Sequence, residues 1–308
     1  MNKRIFPFLY LLALLLINSS CFAQSSIDTA HSSIRTPFPS TWNDERLISS
    51  PTTKTVEPGF MEVYFMHRLG SMGGASNGGF HTLYGFDVAS DVLFGFDFGI
   101  TKRFMLGICR SKDKELIDVY GKYRILDQTT TCPVSIAVNE DIGINPEDTG
   151  TLYSGTAESE GQRSITDRFS YLSQIIIASR INDHLSLEII PTISYRNRII
   201  ETINTNNGAY DENAIPAIGI GGRYMFTKVF GVVADYYYII STYRTNNPTP
   251  YYNALSAGIE LHTGGHVFEI NLSNASGLVG NNFIPYTTDT WLKGGFKLGF
   301  TISRPFNI

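Results

Sequence analysis

The sequence predicts an all-β fold: a closed antiparallel transmembrane β-barrel of about twelve strands, preceded by an N-terminal signal peptide. Three observations point there. From Gly59 onward, segments of about ten residues alternate apolar with other side chains, and turn residues separate them. Short and long connections nearly alternate along the chain. Charged residues are only 17% of the 308, yet no stretch beyond the N-terminus is apolar for long enough to span a bilayer as a helix.

The first element is the signal peptide, residues 1–23. Lys3 and Arg4 precede an apolar run from Ile5 to Ile17, and Cys21-Phe22-Ala23 offers a small-residue cleavage site. A rival reading lipidates Cys21. The preceding Asn18-Ser19-Ser20 lacks the aliphatic residue usual at the first of those positions, so ordinary cleavage is preferred. Residues 24–58, with Pro37, Pro39, Pro51 and Pro58, read as an irregular periplasmic leader, and residues 59–308 as the barrel. The net charge of −4 argues against a nucleic-acid surface. Aromatics at 13% and 28 glycines fit strands better than helices.

The expected strands lie near 60–69, 91–100, 103–111, 115–126, 133–144, 168–181, 185–197, 213–226, 229–242, 251–262, 265–274 and 289–303. In the second, Val92, Phe94, Phe96, Phe98 and Ile100 share one face, opposite Gly95, Asp97 and Gly99. In the fourth, Asp118, Tyr120, Lys122 and Arg124 share a face that suits a wet lumen and not a dry core. Turns such as Thr101-Lys102, Asn182-Asp183-His184, Thr227-Lys228 and Thr263-Gly264 are short, and most of the others are long and polar. Short periplasmic turns with long outer loops are the habit of outer-membrane barrels, which places both termini in the periplasm. Phe104, Phe226 and Phe230 mark one membrane interface, and Tyr243, Tyr251, Tyr252 and Trp291 the other. In the last strand, Lys293, Gly295, Leu298 and Phe300 fit the spacing read by barrel-insertion machinery. Cys109 and Cys132 are separated by this layout and are expected as free thiols.

Several segments together carry a resemblance. They are His67-Arg68-Leu69-Gly70, Gly85-Phe86-Asp87, the run Leu93 to Thr101, Lys122-Tyr123-Arg124, Thr263 to Phe268, and Phe300 to Arg304. In this order they resemble an uncharacterised (domain-of-unknown-function) family of outer-membrane β-barrel proteins typical of Bacteroidetes, over roughly residues 59–308. The resemblance implies the fold and the outer membrane of a Gram-negative bacterium. The family has no assigned substrate or catalytic residue, so it transfers no site.

No phosphate loop, zinc spacing or nucleophile elbow occurs, so no catalytic residue, cofactor or metal ligand is expected. His262 and His266 flank a tight turn, but parity puts them on opposite faces, which argues against a chelate. The residues expected to line the lumen are Asp97, Asp118, Lys122, Arg124, Glu188, Arg196, Arg223, Asp235, Glu260, Glu269, Lys293 and Lys297. As a pore wall, their mixed charge gives little ion preference and suits a small polar or zwitterionic solute. As a lattice of ion pairs, they would fill and stiffen the lumen instead. Inward Gly95, Gly99, Gly219 and Gly221 would widen the lumen or relieve curvature. The functional expectation is a narrow pore or binding barrel for a small polar solute, in contact with outer-membrane lipid and inserted by the barrel machinery. The alternative is a structural or interaction barrel acting through outer loops, chiefly 145–166 and 275–289. A lipid-modifying barrel enzyme is the third class.

Overall fold

In the computed structural model the alternation becomes a wall between two opposite environments. The structure describes residues 41–42, 44–73, 78–146, 165–199 and 202–308. The expected signal peptide and the leader as far as residue 40 lie outside the described residues.

Twelve strands form one closed antiparallel barrel, each bonded to its neighbours in sequence, and β1 seals the ring against β12. They are β1 (Phe60–Ser71), β2 (Ala89–Gly99), β3 (Phe104–Ser111), β4 (Ile117–Leu126), β5 (Ser135–Ile144), β6 (Phe169–Arg180), β7 (Leu185–Arg196), β8 (Ala214–Met225), β9 (Phe230–Ile239), β10 (Ala254–Thr263), β11 (His266–Ser273) and β12 (Lys297–Asn307). The closing seam pairs Phe60 with Asn307 and His67 with Phe300. Closure leaves no unpaired strand edge, which a chain surrounded by hydrocarbon cannot tolerate.

The side chains are inverted relative to a soluble protein. Asp97, Lys122, Glu188, Arg223 and Glu260 are buried, while Leu106, Ile108, Val119, Ile189, Ile220 and Ile270 are exposed. Water would penalise such an apolar outer surface, whereas lipid accommodates it. No helix among the described residues is long and apolar enough to cross a membrane.

Short turns gather at one rim, and three of them are held by a side-chain cap. Thr101 Oγ1 accepts from Arg103 N and Phe104 N at 3.2 and 3.0 Å. Thr227 Oγ1 accepts from Val229 N and Phe230 N at 3.1 and 3.0 Å. Asn182 Oδ1 does the same for His184 N and Leu185 N, at 2.8 and 2.9 Å. Such residues satisfy turn amides locally. β1 begins and β12 ends at this rim.

The final strand differs from its expected span of 289–303. Residues Trp291–Lys293 form a 3-10 turn, and Gly294 adopts a left-handed conformation at φ 72°, so the strand starts only at Lys297. It then runs on to Asn307, through a proline. Pairing with β11 stops at Ser303 while pairing with β1 continues to Asn307. Pro305 therefore stands where the strand has a neighbour on one side only, and its missing N–H is harmless.

Candidate lumen and its plug

The second part of the expected leader does not stay outside the barrel. Residues 41–42 and 44–56 are irregular, as their composition implies, but they lie within the lumen at the short-turn end, and Glu57 and Pro58 are exposed. Residues 45–52 fold into a loop closed by Leu47 N donating to Ser50 O at 2.8 Å and Thr52 N to Glu45 O at 3.0 Å. Its apolar side is small: Trp42, Leu47 and Ile48 cluster with Ala178 and Val233 of the wall.

Most of the plug's grip is polar. Arg46 is hydrogen-bonded to Asp97, stands 3.6 Å from Glu62, and lies over the Tyr64 ring at 3.6 Å. Tyr120 donates to the same Asp97, and its hydroxyl is 2.7 Å from that of Tyr64. Asp235 accepts from Ser49 N at 2.6 Å, Ser50 N at 3.1 Å and Ser50 Oγ at 3.3 Å. Lys122 Nζ donates to Glu45 O at 2.9 Å, and Ser186 Oγ to Thr41 O at 2.7 Å. Lys54 pairs with Glu45 at 3.1 Å. Burial pulls the Lys54 amine down, but the carboxylates of Glu45 and Asp44 outweigh it and hold the amine above its ordinary value. Two inward glycines expected to widen the lumen instead seat this segment. A Cβ on Gly221 would meet Leu47 Cδ1 at 2.6 Å, and one on Gly99 would meet Glu57 O at 2.1 Å.

Asp44, Glu45 and Glu62 bring ligand-capable oxygens within 4.8 Å of one another. Lys54 and Arg46 stand against that cluster and supply positive charge.

The opposite end is narrowed from the long-loop side, where an inward loop packs against β6, β7 and β8. The loop between β11 and β12 folds inward and carries α1 (Gly280–Tyr286), whose residues from Gly280 to Pro285 are buried. Loop 275–289, expected to face a partner, is thus largely turned into the barrel, and residues 147–164 of the other expected loop lie outside the described residues. Phe283 meets Tyr237 edge-on at 5.0 Å. With Ile284, Leu172, Ile215, Ala217, Ala254 and Ala275 they form a buried apolar cluster. Arg68 donates to Gly277 O at 2.8 Å, and Asp91 accepts from Leu278 N at 2.9 Å. A cavity of about 90 Å³ remains between the plug and α1, lined among others by Arg46, Asp118, Tyr120, Lys122, Asp141 and Phe283. Below the plug the short-turn mouth keeps two clefts of about 720 and 460 Å³.

Ten of the twelve expected lumen residues are buried on the inner face: Asp97, Asp118, Lys122, Glu188, Arg196, Arg223, Asp235, Glu260, Glu269 and Lys297. Arg124 sits at the short-turn rim, bound to Asp127 at 2.8 Å and to Lys102 O at 2.6 Å. Lys293 does not line the lumen. It is exposed in the 3-10 turn, because the alternating pattern runs on through residues that are not strand. Of the insertion pattern, Leu298 and Phe300 lie on β12, whereas Lys293 and Gly295 precede it. His262 approaches Glu260 at 3.2 Å, while His266 stacks on Phe268 and meets Arg304 at 3.3 Å, so the two histidines diverge. Cys109 and Cys132 are free.

Sequence reasoning missed Glu62, Arg68, Asp91 and Asp141, all buried. Strand parity could have found them, since Glu62, Tyr64, Met66 and Arg68 alternate with Val63, Phe65 and His67. No such signal marks Arg46 or Glu45.

A family model described as a membrane bound beta barrel domain (DUF5777) matches residues 42–306, plug included. No curated protein matches the chain. Among solved structures, the NanC porin is 10% identical, covering 80% of this chain and 100% of its own, with a TM-score of 0.46. An outer membrane channel from Pseudomonas putida F1 is 9% identical over 82% and 98%, with a TM-score of 0.48. The KdgM porin in complex with disordered oligogalacturonate is 8% identical over 80% and 99%, with a TM-score of 0.46.

Proposed function

The chain belongs to the DUF5777 family of membrane-bound β-barrel domains, and from that premise we propose that it is an outer-membrane passage for a small polar solute, closed at rest by its own residues 44–56. The short-turn rim and both termini face the periplasm, the apolar outer band meets lipid, and Leu298 and Phe300 of the last strand, with Lys293 and Gly295 just before it, are the insertion signal.

One observation carries this reading. The inner half of the lumen is filled by a separate stretch of chain, and polar contacts hold most of it there. A lumen filled by its own wall residues would stay filled. A lumen filled by a segment held through Asp97 and Asp235 leaves a hydrated, charged channel when that segment withdraws.

The test is single-channel recording of the purified, heat-modifiable full chain beside its Asp97→Asn/Asp235→Asn variant. The expected result is rare or absent steps for the wild type and frequent steps for the variant. Silence from both, with both barrels folded, would contradict a passage. It would favour the second reading, a filled structural barrel, for which the 90 Å³ residual cavity is the supporting observation.

A further inference from the structure

Mixed charge in the lumen does not pair off: most of the cations are in ion pairs, Arg68 and Lys122 bond backbone carbonyls instead, and several acids have no cation partner. Arg46 is engaged by Asp97 and Glu62, and Arg223 by Glu260 at 2.6 Å. Arg196 and Arg244 share Asp211 at 3.0 and 2.9 Å, and Lys297 holds Asp289 at 2.5 Å. Among the described residues, no ion pair engages Asp118, Asp141 or Glu188. Asp118 accepts one amide hydrogen bond, from Asn281 Nδ2 at 3.3 Å, and Asp141 one from Asn139 Nδ2 at 2.5 Å. Glu188 is only 4% exposed, yet neither of its carboxylate oxygens accepts any hydrogen bond.

A buried carboxylate without a partner costs several kcal/mol, and a cation or a proton must compensate it. Asp118 and Asp141 lie on adjacent strands and line the same 90 Å³ cavity. That volume equals a few water molecules at about 30 Å³ each. Lys122 also lines that cavity; its amine donates to Glu45 O and keeps its charge, but one ammonium offsets only one of the two acids. Rings of acids with spare negative charge select cations in pores.

We propose that the lumen selects small cations, with Asp118 and Asp141 forming the binding step in the central cavity. The ligand is an alkali-metal ion or the ammonium group of a small organic solute. This rests on the lumen being a passage.

The test is the reversal potential across a potassium chloride gradient, recorded on the Asp97→Asn/Asp235→Asn full chain. A several-fold preference for potassium over chloride is expected, falling towards unity when Asp118→Asn and Asp141→Asn are added. Replacing potassium by methylammonium separates the two sources: equal currents mean the site takes ammonium groups as well as metal ions. An open barrel with no cation preference would overturn the inference while leaving the passage intact. Absence of current in every variant would instead defeat the passage. In that case the heat-unfolding midpoint of the folded wild type still decides. It should rise when potassium or methylammonium replaces bulky N-methylglucamine, and not in the Asp118→Asn/Asp141→Asn chain. No rise in the wild type would overturn the cation site.

Discussion

The two ends of this lumen are occupied through different physics: one is plugged and the other narrowed. The plug at the short-turn end has a small apolar cluster, but charges and hydrogen bonds to Asp97, Asp235 and Lys122 make up most of its hold. The inward loop at the other end also has polar ties, through Arg68 and Asp91, but its α1 sits in the largest apolar cluster of the interior. Apolar packing in water-excluded space is part of the fold and loosens only with it. A polar latch exchanges its bonds for water at modest net cost, since each such bond is worth roughly 0.5–1.5 kcal/mol net. The difference teaches which inward segment is part of the core and which is a gate.

Phe283→Ala should give the largest effect on the barrel itself. Removing a buried aromatic costs about 3–5 kcal/mol, so the heat-unfolding midpoint should fall clearly. Arg46→Ala strips the cation from Asp97 and Glu62, a loss on the order of 3–5 kcal/mol for a buried pair. Here the cost should fall on the plug. Protease cleavage within residues 44–56 should appear while the barrel's midpoint barely moves. If Arg46→Ala unfolds the barrel as Phe283→Ala does, the distinction between core and gate fails. Asp235→Ala removes the acceptor of two plug amides, at about 1–3 kcal/mol each, and should speed hydrogen exchange at Ser49 and Ser50 before any strand amide. Lys54→Ala should be smallest, about 0–1 kcal/mol, because that pair is partly solvated. The Lys54 amine titrates above its ordinary value when folded. Its contribution should therefore be complete below the ordinary lysine range and lost only as pH rises through the raised value, read as plug cleavage at alkaline pH.

The wall was legible in the sequence and the gate was not. Period-two alternation is a local signal, so Asp97, Lys122 and Glu188 could be assigned to the inner face from their neighbours alone. The same signal misled at Lys293, where alternation persists through a 3-10 turn and only the left-handed Gly294 ends it. The plug has no period to detect. Arg46 finds Asp97 across 51 residues, and Ser49 finds Asp235 across 186. A Ser-, Thr- and Pro-containing segment looks like a linker until the barrel's interior supplies its partners. Knowing which acids remain unpaired requires knowing which cations the plug and the loops engage, so cation preference could not be read from a count of charges.

The most direct measurement locks the gate. Ser50→Cys and Asp235→Cys, in a Cys132→Ser background, would tether the plug to β9 where Ser50 now bonds Asp235. Single-channel recording of the oxidised chain should be silent. Reduction should restore steps, because the same two substitutions remove the polar latch. Steps of equal size and frequency before and after reduction, with the cross-link verified, would contradict a plug that gates the lumen.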